Sequence, residues 1–294
     1  MEEKSPSEIT LSEKTLPEMT EPFVVFGGPY SNLQALQEMK RICHDHSIPP
    51  SRTICSGDMV AYCAQPRESI DFIREWGIQI IAGNVELQLA SDQADCGCNF
   101  NEGSVCDVLS NKWYQFVKQQ VTQEQIQWLA QLPQFIRFSV AGYRCVIVHG
   151  AYTQTAKFVY HSTPWEEKQS EFDAAEADII LAGHCGVPFL HSQDDKVWAN
   201  AGVIGMPPND GTTLAWYLLV TPHKGELLFE THAFDYDHNT AIQKIEACSV
   251  VPEYAETLRH GIWPSNDILP KIEKAQQGRP IIPEKLSITA RKSV

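Results

Sequence analysis

Positive charge is scarce in this chain. Against 37 Asp and Glu it sets only 23 Lys and Arg, a formal net charge of -14. Affinity for a nucleic-acid backbone rests on clustered Lys and Arg, so this balance argues against a duplex binder. An anionic small molecule remains open, because one pocket can differ in sign from the total. Long apolar runs are also missing. No stretch of the sequence reaches the roughly 18 apolar residues of a spanning helix, and the acidic N-terminus lacks the apolar core of a secretory signal. A regular disulfide framework is absent as well. The nine cysteines are odd in number and unevenly spaced, which reads as reduced thiols in a cytoplasm, with disulfides the alternative. What is present is ordinary for a globular protein: 294 residues, 43% hydrophobic and 20% charged.

Residues 1–21 carry six Glu and little apolar content, so the expectation is an acidic disordered tail. From Pro22 the pattern alternates between strand and helix. Strands are expected at Phe23–Phe26, ending at Ile54-Cys55, and at Ile78–Ala82. Helices are expected from about Ser31, where Ser31-Asn-Leu-Gln34 fits a capping box, and near Arg67–Trp76. This spacing implies βαβ units and parallel pairing. A helical region follows over Asp107–Leu132, with Thr122-Gln-Glu-Gln125 as a second cap. Next come a hairpin over Phe135–Val148, a strand at Asp178–Ala182, and a hairpin turned by Pro222-His-Lys-Gly225. Asp237–Arg259 reads as helix, and 271–294 as an irregular tail. The expected organisation is one α/β domain with mixed sheets over 22–270.

Four short motifs close the apolar strands: Gly57-Asp58, Gly83-Asn84, His149-Gly150 and Gly183-His184. Together they offer a carboxylate oxygen, an amide oxygen and two imidazoles, a donor set for Mn, Fe or Zn rather than Ca. Each dipeptide alone is more often a turn than a ligand. Four in succession at strand ends point to one metal pocket, since α/β sheets bind ligands outside the carboxyl ends of their strands. The corner Gly27-Gly28-Pro29-Tyr30-Ser31 differs. It joins a strand to a helix yet holds no carboxylate and no histidine. Free N–H groups at that helix start would favour an anion, which makes Tyr30, Ser31 and Asn32 candidate substrate contacts, with Cys63 nearby. Cys96 and Cys98 stand closer than zinc ligands usually do, and with Cys106 they default to small buried hydrophobes.

The segments GGPYSNLQAL, GDMVAYCAQP, GNVELQL, VHGAY, GHCGVPF and NAGVIGMP follow one another in this order. They resemble the calcineurin-like metallophosphoesterases, in particular the small bacterial branch of YfcE-type phosphodiesterases and diadenosine tetraphosphatase-like proteins. The family pattern runs Asp-x-His, Gly-Asp, Gly-Asn-His-Asp/Glu, His-Gly and Gly-His-x-His. The resemblance covers about Pro22 to Pro270 and implies a four-layer α/β/β/α sandwich of two mixed sheets.

It also implies a two-metal site in which Asp58 is shared. One pocket would use Asp58, Asn84, His149 and His184, all present, with Asp58 and His149 central to catalysis. The other would need ligands where this chain has Gly28, Tyr30 and Gly186, and Val85 replaces a substrate-facing histidine. The implied activity is phosphoester or nucleotide hydrolysis with one divalent transition metal. Two alternatives stand beside it: a weak homologue that binds a phosphorylated ligand as a sensor or regulatory partner, and a non-hydrolytic enzyme using one metal and nearby thiols.

Overall fold

A computed structural model describes residues 12–98, 100–248 and 251–291. In chain order its strands are β1 (Glu13–Thr15), β2 (Phe23–Phe26), β3 (Thr53–Cys55), β4 (Gln79–Ile80), β5 (Phe135–Val140) and β6 (Tyr143–Ile147). They continue with β7 (Ile179–Ala182), β8 (Phe189–Gln193), β9 (Lys196–Asn200), β10 (Ala215–His223), β11 (Glu226–Phe234) and β12 (Lys285–Thr289). The helices are α1 (Leu33–Asp45), α2 (Pro66–Trp76), α3 (Asn84–Ala90), α4 (Val105–Gln120) and α5 (Gln123–Leu129). After these come α6 (Trp165–Ala175), α7 (His238–Cys248), α8 (Pro252–His260) and α9 (Lys271–Lys274).

The strands form two six-stranded mixed sheets, ordered β1-β5-β6-β7-β9-β8 and β12-β11-β10-β2-β3-β4. Between them lies a core to which Phe23, Val25 and Ile54 contribute from one sheet and Ile136, Phe138 and Leu181 from the other. A second core, with Val24, Phe26 and Leu36, packs α1, α2, α4, α7 and α8 on the outer face of one sheet. A third, with Val146, Phe172 and Trp198, sets α6 on the other. Central strands are thus covered on both faces, which is why FVVF is apolar at every position. This is the expected α/β/β/α sandwich.

Because β2, β3 and β4 run parallel, as do β6, β7 and β9, the loops that follow them gather at one end. The loop after β9 fastens the sheets together there: Gly27 N–H donates to Gly202 O at 3.1 Å and Ile204 N–H to Gly27 O at 3.1 Å.

Both terminal expectations need correction. Residues 1–11 lie outside the described residues, but 12–21 do not form a free tail. Strand β1 pairs in parallel with β5, Leu16 N–H donates to Arg137 O at 2.8 Å, and Met19 is buried in the central core. Composition missed this because a short polar strand needs few apolar residues when an open sheet edge supplies its hydrogen bonds. The 271–294 segment likewise contains α9 and β12, the latter antiparallel to β11 and closing that sheet's edge. Residues 292–294 lie outside the described residues. The cap of α1 is Asn32, whose side chain accepts from Ala35 N–H, rather than Ser31. Thr122 and Gln125 do form the expected capping box.

Candidate metal centre

Each motif residue follows a strand of the gathered end: Asp58 after β3, Asn84 after β4, His149 after β6 and His184 after β7. All four are buried. Two glycines let the loops close in. At Gly57 (φ +97°) an added Cβ would lie 2.5 Å from Gly83 N, and at Gly83 it would lie 2.6 Å from Asp58 N. No other residue fits such an approach.

The four donor atoms meet at His149 Nε2. Asn84 Oδ1 is 3.0 Å away, His184 Nδ1 2.9 Å and Asp58 Oδ2 3.2 Å. Asp58 Oδ2 and His184 Nδ1 are 4.0 Å apart. Hydrogen bonding determines which atom His149 and Asn84 turn inward. His149 Nδ1 donates to Ser56 O at 2.7 Å, which turns Nε2 toward the cluster. The Asn84 amide NH2 donates to Cys96 O at 2.7 Å and contacts Cys98 Sγ at 3.2 Å, so its oxygen faces His149. Four atoms able to act as metal ligands, one from each residue, thus face one another. Ligands bound to one ion at about 2.0–2.2 Å stand roughly 3 Å apart. The residues present therefore fit a divalent metal, with Asp58, His149 and His184 the charged and imidazole ligands.

Charge interactions agree with this. Burial alone would push the Asp58 carboxyl up and the His149 imidazole down. Their mutual contact wins, holding Asp58 below the usual carboxylate range and His149 above the usual imidazole range. For His184, burial and then the neighbouring His149 act together and push it down to about 3.

Sequence reasoning missed Glu86. Its fully buried carboxylate accepts from the backbone N–H groups of Asp58 at 2.7 Å, Met59 at 2.9 Å and Gly83 at 2.8 Å, joining the Gly57-Asp58 and Gly83-Asn84 loops. Burial, and then the Asp58 charge, push this carboxyl up to about 7. The signal was in GNVE, whose Glu stands three residues past the turn glycine. Backbone strain also concentrates here. Tyr30, Ser31, Asp58, Tyr62 and His184 all have positive φ, between 40° and 60°, a conformation that costs non-glycine residues about 1 kcal/mol or more each and gathers at functional sites.

The strand-to-helix corner does not act as an anion cradle. The N–H groups of Tyr30, Ser31 and Asn32 donate to Asp58 O, Met59 O and Pro29 O. Ser31 Oγ accepts from Ala61 N–H at 3.1 Å, and the Asn32 amide donates to Gly205 O and the Tyr236 hydroxyl. Cys63 is buried with its thiol toward Gly205 O. Ser31, Asn32 and Cys63 therefore serve the fold, and of the expected substrate contacts only Tyr30 lines the cavity beside Asp58 and His184.

A family model for the calcineurin-like phosphoesterase superfamily domain matches residues 32–224. The chain belongs to this superfamily. Among curated proteins, MJ0912 of Methanocaldococcus jannaschii is 24% identical over 237 residues, 75% of this chain and 90% of that protein. A metallophosphoesterase from Sphaerobacter thermophilus superposes with a TM-score of 0.63 at 18% identity, covering 83% of this chain and 100% of that one. Protein PH1004 from Pyrococcus horikoshii OT3 gives 0.66 at 16%, covering 82% and 99%. These likenesses agree on the fold, two mixed sheets flanked by helices. Among the described residues, no helix of this superfamily member is long and apolar enough to cross a membrane.

Proposed function

We propose that this protein hydrolyses a phosphoester with a single divalent transition metal held by Asp58, Asn84, His149 and His184. The observation that carries the reading is the convergence of Asn84 Oδ1, His184 Nδ1 and Asp58 Oδ2 on His149 Nε2. A metal there supplies Lewis acidity toward a phosphoryl oxygen. Asp58 orients the cluster and supplies its negative charge. The Ser56 carbonyl and the Cys96 carbonyl hold the His149 and Asn84 donors in place, the kind of outer support that typically changes metal affinity by about 10–100-fold. Phe158 stacks on the His184 ring at 4.3 Å and shields it from water.

We further propose that the second family pocket is closed rather than rebuilt. Supporting this, the Tyr30 ring lies where a side chain at Gly28 would project, and Trp263 lies 3.2 Å from a Cβ at Gly186. This sets the chain apart from two-metal members of its superfamily, and nine unpaired thiols suit a reducing cytoplasm.

The test is metal analysis of the purified protein together with assays on p-nitrophenyl phosphate and bis-p-nitrophenyl phosphate with added Mn²⁺. One equivalent of metal and turnover, both lost in His184→Ala, are expected. Bound metal without turnover favours the second reading, a phospho-ligand binder, which the absence of an acid at Val85 supports. Thiol chemistry is disfavoured because burial pushes Cys185 up to about 12 and Cys98 well above its ordinary value.

A further inference from the structure

The cavity beside Asp58 and His184 is walled by the rings of Tyr30, Tyr62, Phe100, Phe158, Tyr254 and Trp263. Tyr30, Tyr62 and Tyr254 pack edge-on or tilted at centroid distances of 4.6 and 4.8 Å, so that part of the wall is rigid. Among the described residues that line it, there is no Lys or Arg, and outside the metal cluster no carboxyl and no imidazole. Two consequences follow. A charged substituent entering the cavity would be desolvated without a partner, at a cost of several kcal/mol. A leaving group would also depart without a carboxylic or imidazole acid to protonate it.

We propose that the cavity binds an aryl group, and that the substrate is an aryl phosphoester with no phosphate beyond the one at the cluster. This inference rests on the metal reading above. Aromatic walls favour a flat ring by stacked and edge-to-face contact. An aryl oxide also needs no acid to leave. A water oxygen bonds to phosphorus and the P–O(aryl) bond breaks. The bonding pair departs on the aryl oxygen, and the water's proton passes to solvent. Dinucleoside polyphosphates fit poorly, because their bridging charges would lie against uncharged walls.

Calorimetric binding of diphenyl phosphate, dimethyl phosphate and diadenosine tetraphosphate tests this, on the Mn²⁺-loaded and the metal-stripped protein. Diphenyl and dimethyl phosphate carry the same charge and differ only in their rings. We expect diphenyl phosphate to bind about tenfold tighter or more in both forms, the gain from placing one ring in an apolar site. Trp263→Ala and the half-buried Phe100→Ala should each narrow that ratio, and the second keeps the test valid if the first fails to fold. Hydrolysis of substituted phenyl esters by the loaded protein should slow as the leaving phenol becomes more basic.

Equal affinities for the two diesters, or tighter binding of diadenosine tetraphosphate, would overturn the assignment. Ring preference without any hydrolysis would sustain the cavity's ligand class and sink the catalytic reading. Hydrolysis without ring preference would do the reverse.

Discussion

The ring of Tyr30 occupies the space that a side chain at Gly28 would enter. An added Cβ would meet Tyr30 ring carbons at 2.5 Å, from a backbone at φ +22°. Gly28→Asp in the intact chain should therefore lower stability by about 2 kcal/mol or more, from overpacking and strain together. Adding Tyr30→His should recover part of that loss by removing the contact. A second metal equivalent should appear only when Gly186→His is combined with a smaller residue at Trp263, whose ring stands 3.2 Å from that position. Denaturant melts and metal content check this, and a neutral Gly28→Asp would refute the packing argument.

Glu86 should matter as much as a ligand. Removing its carboxylate in Glu86→Ala strands three buried N–H groups, those of Asp58, Met59 and Gly83. Each orphaned donor costs roughly 1–3 kcal/mol, so a severe loss of stability is expected. Glu86→Gln keeps one acceptor and should fold, with metal affinity reduced about tenfold or more as the two loops loosen. Metal titration of the Gln variant decides it, and unchanged affinity would reduce Glu86 to a purely structural role.

Metal binding should release protons at any pH below the raised His149 value. The Asp58 carboxylate overcomes burial and holds the His149 imidazole above its ordinary value, so a metal must displace a proton from Nε2. His184, pushed down to about 3, is already neutral and contributes none. Affinity should therefore weaken as pH falls through the raised His149 value, because protons then compete for Nε2. Calorimetry in buffers of different ionisation enthalpy counts the proton. Asp58→Asn should abolish the release along with most of the affinity.

Deletion of residues 1–21 should destabilise the protein. It removes the β1 pairing with β5, the Glu13–Arg137 ion pair at 2.7 Å and the buried Met19 side chain. Met19→Ala alone should cost about 2 kcal/mol or more, the usual range for a buried Met. Thermal melts of both variants are the check, and an unchanged melting temperature would mean that this edge is not coupled to the core.

The sequence alone determined the parts whose physics is local. FVVF, TIC, CVIV and IILA are apolar runs bounded by glycine and polar residues, so they read as buried strands ending in polar motifs. The order of those motifs carried the family and the four cluster residues. Tertiary structure decided whatever depends on contacts distant along the chain. Glu13–Thr15 became a strand because β5 left an edge open, and Lys285–Thr289 because β11 did. Asn32 and Ser31 look like ligand contacts in one dimension, yet they fasten the corner to Tyr236, Gly205 and Ala61. Trp263 and Phe158 have no motif, and only folding sets one beside Gly186 and the other against His184. A donor atom's chemistry belongs to its residue, but which lone pair it turns inward depends on partners such as Ser56 O and Cys96 O. Those partners act through backbone carbonyls, which every residue carries, so side-chain identity holds no trace of them.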